Sequence, residues 1–232
     1  GNASQPGMEN LLDVTDDSNP LRITKGNQGL KPSFTHSMRL FYNTYDGETP
    51  RGMMAQATFQ RTQNRLTNAT TDNQTTGGTI SKPENINGYW TAMGMFGFNT
   101  ALKDKRFTIN SFSRANYTND VSFLYNEGTK LNDKNTSTSL TLGENLNGTF
   151  RNDWLEFSIN GSINYNFERN KLRSENNQEP YTFGYGASTN VSLPWNMTLS
   201  TNITNNSRRG YRDASMNRNE LLWNAQIAQN FL

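Results

Sequence analysis

The chain is ruled by a period of two. In Ser188–Thr204, STNVSLPWNMTLSTNIT, one parity carries Val191, Leu193, Trp195, Met197, Leu199 and Ile203. The other carries Asn190, Ser192, Asn196, Thr198, Ser200 and Asn202. Successive side chains of a strand point to opposite faces, so this pattern specifies a sheet with one apolar face. Pro194 cannot donate to a ladder, which makes Leu193-Pro194-Trp195 the turn of a tight hairpin. The second face is small and uncharged, unlike the Lys/Glu surface of an ordinary soluble sheet. A soluble amphipathic hairpin and a wall between lipid and water both fit this stretch taken alone.

The same rhythm recurs along the chain. Phe34, His36, Met38, Leu40 and Tyr42 share a parity, as do Met53, Ala55, Ala57 and Phe59. Trp90–Phe98, Phe107–Tyr125 and Thr138–Phe150 follow. Leu155, Phe157, Ile159, Ile163, Tyr165 and Phe167 form the clearest row, then Tyr181–Leu193 enters the hairpin above. Leu222–Asn230 makes a weaker last segment. Only Asn219–Gln229 could also be drawn as a helix, and abundant Asn, Thr and Gly lower helix propensity elsewhere. The expectation is an all-β, antiparallel up-and-down meander of about nine strands, each of about 9–12 residues.

Connection lengths alternate. Short turns are expected at Tyr45–Pro50, Leu102–Lys105, Arg151–Asp153 and Leu193–Trp195. Long polar loops are expected near Asn64–Asn87, Asn126–Asn135, Arg169–Pro180 and Asn205–Asn219. Such a meander gathers all short turns at one end, as outer-membrane barrels do. Trp154, Trp195 and Phe107 beside short turns, and Tyr125, Phe167, Tyr181 and Tyr89 beside long loops, would form the two aromatic girdles. The polar parity then faces a water-filled lumen. Arg61 and Arg65 are placed to snorkel at an interface. Glu144 is the misfit, because it shares the parity of Leu142 and Leu146. A bulge near Gly143 would turn it inward.

Composition narrows the function. Net charge is +2, which gives no electrostatic case for nucleic acid. There is no Cys, so thiol catalysis and disulfides are excluded. Charged residues are only 18%, so neutral Asn, Ser and Thr supply most of the polarity. His36 is the single histidine, a poor basis for a metal site or a catalytic triad. No P-loop occurs, and no spacing selects a catalytic carboxylate pair. The chain is expected to be no enzyme, to need no cofactor, and to have neither catalytic nor metal residues.

Asn19-Pro20-Leu21 followed by Lys25-Gly26-Asn27-Gln28-Gly29-Leu30-Lys31-Pro32 resembles the entry to a late barrel strand in TonB-dependent outer-membrane receptors. Asn85-Ile86-Asn87-Gly88-Tyr89, Leu193-Pro194-Trp195, Gly210-Tyr211, Leu222-Trp223-Asn224-Ala225 and Asn230-Phe231-Leu232 are similar to pieces of the same family. The match is closest to the outer-membrane β-barrel family common in Bacteroidetes. The family's plug, TonB box and earlier strands are missing, and the family usually continues with further strands, so the chain looks like a C-terminal portion of a barrel.

The resemblance implies an outer-membrane receptor that imports a nutrient such as a sugar, peptide or metal chelate. Outer-membrane lipid and the TonB system, acting through the plug of the parent protein, would be its partners. The rivals are a soluble secreted carbohydrate-binding β protein and a surface or adhesive protein without transport. Residues 1–32 read as an N-terminal extension and 33–232 as the barrel portion. The most basic stretch, Ser207–Arg212, offers Arg208, Arg209, Tyr211 and Arg212 as loop residues for an anionic ligand or a lipopolysaccharide phosphate. A solvated loop charge is the plainer reading. Edges could be covered by a tenth strand from Leu11, Leu12 and Val14 or from Leu21–Thr24. Pairing of Ser33–Thr44 and Leu221–Asn230 with another copy is the favoured alternative.

Overall fold

The alternating segments are strands in the computed structural model, which describes residues 1–73, 75–102 and 105–229. In chain order they are β1 (Asn2–Ser4), β2 (Thr15–Asp16), β3 (Arg22–Lys25), β4 (Ser33–Asp46), β5 (Arg51–Gln63), β6 (Arg65–Asn73) and β7 (Gly78–Ile86). Then come β8 (Tyr89–Ala101), β9 (Phe107–Asn126), β10 (Leu131–Arg151), β11 (Leu155–Asn170), β12 (Tyr181–Leu193), β13 (Met197–Arg209) and β14 (Asn219–Gln229). A 10-stranded antiparallel sheet has the order β1-β4-β5-β8-β9-β10-β11-β12-β13-β14. Its long members are the nine expected strands in sequence order, an up-and-down meander. The ambiguous segment Asn219–Gln229 is a strand. No helix among the described residues is long and apolar enough to cross a membrane.

Register aligns the apolar parity across neighbours. One row runs Met38, Phe59, Ala92, Tyr117, Leu140, Phe167. Further along the strands another runs Ile109, Gly148, Ile159, Ala187, Ile203, Trp223. Between these rows the opposite face carries Thr141, Asn147, Asn160 and Thr204, with Thr118 and Ser139 just beyond the first row. Phe157, Ile159, Ile163 and Tyr165 thus share one face, with Asn160, Ser162 and Asn164 on the other. Among the described residues the apolar face has no second layer. Ile159, Ile163, Leu146 and Trp223 are 55%, 50%, 52% and 72% exposed. A Leu or Ile gains about 1.5–3 kcal/mol on leaving water, so rows of them uncovered in water would forfeit the main force that folds a sheet. Hydrocarbon around this face restores it.

Aromatic rings mark the two ends of the apolar band. Phe107 and Phe150 lie 4.8 Å apart, in register with Phe157. At the other end Phe59, Trp90 and Tyr117 form a run with centroids 5.9 and 4.8 Å apart. Trp154 and Trp195 sit in short turns, 57% and 80% exposed. Tyr125 does not join the upper girdle, because β9 carries it well beyond Tyr117.

Several expectations need correction. The strands run from 11 to 21 residues in full, longer than the stretch of about 9–12 expected between the girdles, because β9 and β10 continue past the apolar band. The expected long loop Asn126–Asn135 is therefore mostly strand, closed by a turn over 127–130. The expected loop Asn64–Asn87 is the β6–β7 hairpin, which joins β2 and β3 in a separate 4-stranded sheet. Its polar sequence lacks an apolar row because outside contacts hold it. The tenth strand exists but is β1, paired with Phe34 and its neighbours, while Thr15–Asp16 and Arg22–Lys25 go to the small sheet. No ladder joins β4 or β1 to β14 among the described residues. The expectations placed on Asp104 and on Asn230-Phe231-Leu232 lie outside the described residues.

Candidate functional site: a polar wall beneath a pinned roof

The polar face of the sheet is the first element of the site. Its carboxamides and hydroxyls include Asn99, Asn110, Asn147, Asn160, Thr149 and Ser158, adjacent in register. Thr149 and Ser158 hydroxyls lie 2.8 Å apart. Charges are few on this face. Arg114 lies over Gly143 and donates to Asn164 Oδ1 at 3.1 Å. Near the short turns Arg151 pairs with Glu156 at 2.5 Å. The wall is not uniformly polar, since Phe41, Met54, Met93 and Phe112 also belong to this parity.

The second element is a roof at the long-loop end. The N-terminal strap binds the β6–β7 hairpin through the parallel pair β3–β7, Arg22 opposite Thr79. Gly78 permits this approach, because a Cβ there would fall 2.5 Å from the Leu21 backbone. The two family-like motifs meet here. Asn27 Nδ2 donates to Pro83 O at 2.9 Å. Asn85 accepts from Lys31 N at 2.7 Å and donates to Lys31 O at 2.9 Å and Asn64 O at 2.8 Å. Asn87 Oδ1 accepts from Asn64 N at 2.7 Å, and Gly88 then turns the chain into β8 with φ +118°. Leu30, Ala69, Ile86 and Val121 are the buried apolar residues of the described chain. All four lie at this end, Val121 on β9 of the large sheet and the others in the strap and the β6–β7 hairpin.

Arg65 belongs to the roof too. Its guanidinium stacks 4.0 Å from the Tyr89 ring centroid and pairs with Asp120, so it is no free snorkelling residue. Arg61 remains exposed, cross-strand from Trp90 on the apolar face. Sequence reasoning picks out the motif around Asn85 but not Asn85 itself. Its role becomes visible only when residues 31, 64 and 85 meet. Asn85→Ala should remove three hydrogen bonds and cost about 1–3 kcal/mol locally. Hydrogen exchange should show faster exchange over 12–31 with β9–β11 unchanged, whereas unchanged strap protection would refute the clamp.

A second strap, over 171–180, ties β11 to β12. Glu168 and Gln178 exchange backbone bonds at 3.0 and 3.3 Å, and Leu172 N donates to Asn135 Oδ1 at 3.1 Å. Arg169 pairs with Glu179, and Tyr165 donates its hydroxyl to Glu179 at 3.1 Å. The Arg169 bond first, then the Tyr165 bond, holds the Glu179 carboxyl below its ordinary range. A depressed carboxylate stabilises above its unfolded pKa and loses that contribution as pH falls through the folded one. Proteolysis within 171–180 should therefore accelerate on acidification below the ordinary glutamate range, and Glu179→Gln should flatten that dependence.

The four candidate ligand residues are not brought together in a loop. Arg208 and Arg209 are the last residues of β13, a correction to their expected loop placement. Period two sends them to opposite faces. Arg208, opposite Thr182, joins the polar wall, while Arg209, opposite Tyr181, joins the apolar parity and donates to the carbonyls of Arg208 and Arg218 at 2.8 and 3.1 Å. Tyr211 is fixed by reciprocal 3.1 Å bonds with the Asn217 amide, and Arg212 is exposed in the loop over 210–218. The Ser215 hydroxyl, then its backbone N–H, holds the Asp213 carboxyl in that loop below its usual range.

Glu144 is also corrected. The ladder is unbroken at Gly143, so no bulge turns Glu144 inward. It stays on the apolar face, opposite Ser113 and Ile163, and accepts from Ser111 Oγ at 2.7 Å and from Ser113 Oγ. Both serines lie on β9 on the same face, so the carboxylate carries its own donors.

No group of three or more His, Cys, Asp or Glu among the described residues could hold a metal ion. His36 lies on the apolar parity with the Phe34 ring edge-on at 4.6 Å. A family model for an outer membrane protein beta-barrel family matches residues 2–154. No curated protein and no solved structure matches the chain. The matched stretch contains the roof and the first six strands of the large sheet, and the uncovered apolar face continues unchanged beyond it. The chain belongs to this outer membrane protein beta-barrel family, and its place is the outer membrane.

Proposed function

We propose that this chain is the wall of a TonB-dependent receptor that imports a nutrient across the outer membrane. The observation that carries the reading is the two-faced wall: an apolar face without a second layer, and a neutral polar face roofed at one end. Captured solute would meet the roof and the loops over 171–180 and 210–218, then the polar face. A sugar, a peptide and a metal chelate are all compatible with import. The energy-coupling system would act through a plug in the parent protein, so this chain's part is binding and passage, with no bond made or broken. Arg208 on the polar face and Arg212 in the loop are its candidate contacts for an anionic group. The open edges, at β4 beyond its pairing with β1 and at β14, would pair with further strands, another copy among the possible sources.

Membership in an outer-membrane family removes the soluble secreted rival. The remaining rival is a surface or adhesive protein without transport. Uptake of labelled nutrients should decide between them in cells with and without the intact protein. The receptor reading expects uptake that stops when the energy-coupling protein is deleted. Uptake that survives that deletion means a passive channel, and unchanged uptake on loss of the protein itself supports the adhesive rival.

A further inference from the structure

We propose that the polar wall binds a linear, uncharged, hydroxyl-rich chain, an oligosaccharide, along a row of asparagines; this rests on the import reading and names its substrate class. Asn99, Asn110, Asn147 and Asn160 are consecutive partners across β8, β9, β10 and β11. Most asparagines at the roof and straps spend their amides on the protein, as Asn27, Asn85, Asn135 and Asn177 do. On the wall Asn43, Asn99, Asn110 and Asn160 make no side-chain hydrogen bond to another described residue. Their donors and acceptors are free on the face that meets water.

The surroundings select a neutral partner. Asn43, Asn99 and Asn110 share a concavity with Tyr45, Met54 and Gly97. Gly52 and Gly97 keep its floor low: the Asn99 amide lies over Gly52, and Met54 and Phe112 flank Gly97. An amide both donates and accepts, as a hydroxyl does. Tyr45, Met54 and Phe112 offer apolar surface to the C–H faces of a sugar ring. Fixed charge stands off the row. Arg114 is two register rows away on one side, and the Arg151–Glu156 pair is two rows away on the other. Neither an anion nor a cation finds its counter-charge among the amides. Strands lie about 4.8 Å apart, so the amides recur at about that interval across the sheet. That interval is close to the length of one sugar unit in an extended chain. A bound oligosaccharide would cross the strands, with Asn99, Asn110 and Asn160 as its free amides and Asn147, which accepts from Thr149 at 3.1 Å and donates to Ile159 O at 3.5 Å, between them.

The test uses the intact protein purified in detergent, with titration calorimetry against three probes: maltohexaose, a hexameric oligogalacturonate carrying carboxylates, and a Gly/Ser peptide of similar length. The expected result is binding of maltohexaose in preference to both others. The double variant Asn99→Leu/Asn110→Leu should weaken it about tenfold or more, the loss of one or two net hydrogen bonds. Asn190→Leu, lower on the same face, should leave it unchanged. Should the double variant fail to fold, the single variant Asn110→Ala should still weaken maltohexaose binding severalfold. The proposal is overturned if none of the probes binds, if oligogalacturonate or the peptide binds in preference, or if the variants bind maltohexaose as the wild type does. Energy-dependent uptake of a peptide or chelate by the same protein would then leave the import reading standing and sink only this inference.

Discussion

Ile163→Arg should cost about 2–4 kcal/mol in a bilayer, the measured range for a basic residue near the midplane of a barrel's lipid face. Ser162→Arg, one residue away on the opposite face, should shift stability by no more than about 1 kcal/mol. Ile163 lies in the row of Glu144, between the girdle at Phe107 and Phe150 and the girdle at Trp90 and Tyr117. The contrast between adjacent residues is the informative quantity, because strand propensity and ladder bonds are common to both sites. Urea unfolding from lipid vesicles reads it directly. Equal penalties at 162 and 163 would mean that both faces meet the same medium.

The second large effect concerns Glu144. A carboxylate on this face costs stability, though less than Arg or Lys at the same depth. Ser111 and Ser113 recover part of that cost by donating to it. Glu144→Leu should therefore stabilise the protein in a bilayer by about 1–2 kcal/mol. With Glu144 present, the Ser111→Ala/Ser113→Ala pair should destabilise by about 2–3 kcal/mol, because hydrogen bonds to charged groups are the strong ones. In the Glu144→Leu background that penalty should vanish, which a double-mutant cycle measures. Additive costs would show that the hydroxyls serve something other than the carboxylate.

Period two is enough to read the faces and the order of the long strands. Phe157, Ile159, Ile163 and Tyr165 share a face because each step of one residue inverts the side chain. The same rule places Arg208 and Arg209 on opposite faces once the strand is carried five residues further, from Thr204 to Arg209. Clustered charges in Ser207–Arg212 look like loop, yet cross-strand pairing to Tyr181 and Thr182 extends β13 through Arg208 and Arg209. The β6–β7 hairpin is not legible in the sequence, because its order comes from distant partners. Asn85 reaches Lys31 and Asn64, Arg65 reaches Asp120, and none of these pairings has a local signal. The Glu144 error has a simple cause. A lone carboxylate on lipid is costly, which argues for a bulge, but two serines on the neighbouring strand supply the donors without one. The asparagine row is hidden for a related reason: Asn99, Asn110, Asn147 and Asn160 are far apart in sequence and become neighbours only through register.

The central claim is that one face of the large sheet meets lipid and the other meets water. Spin labels placed singly along Phe157–Tyr165, in the intact protein reconstituted into bilayers, test it most directly. Relaxation by lipid-dissolved oxygen is compared with relaxation by a water-soluble nickel chelate. The account predicts alternation, with labels at 157, 159, 163 and 165 relaxed by oxygen and those at 158, 160, 162 and 164 relaxed by the chelate. Chelate access on both parities, or oxygen access on both, would contradict it.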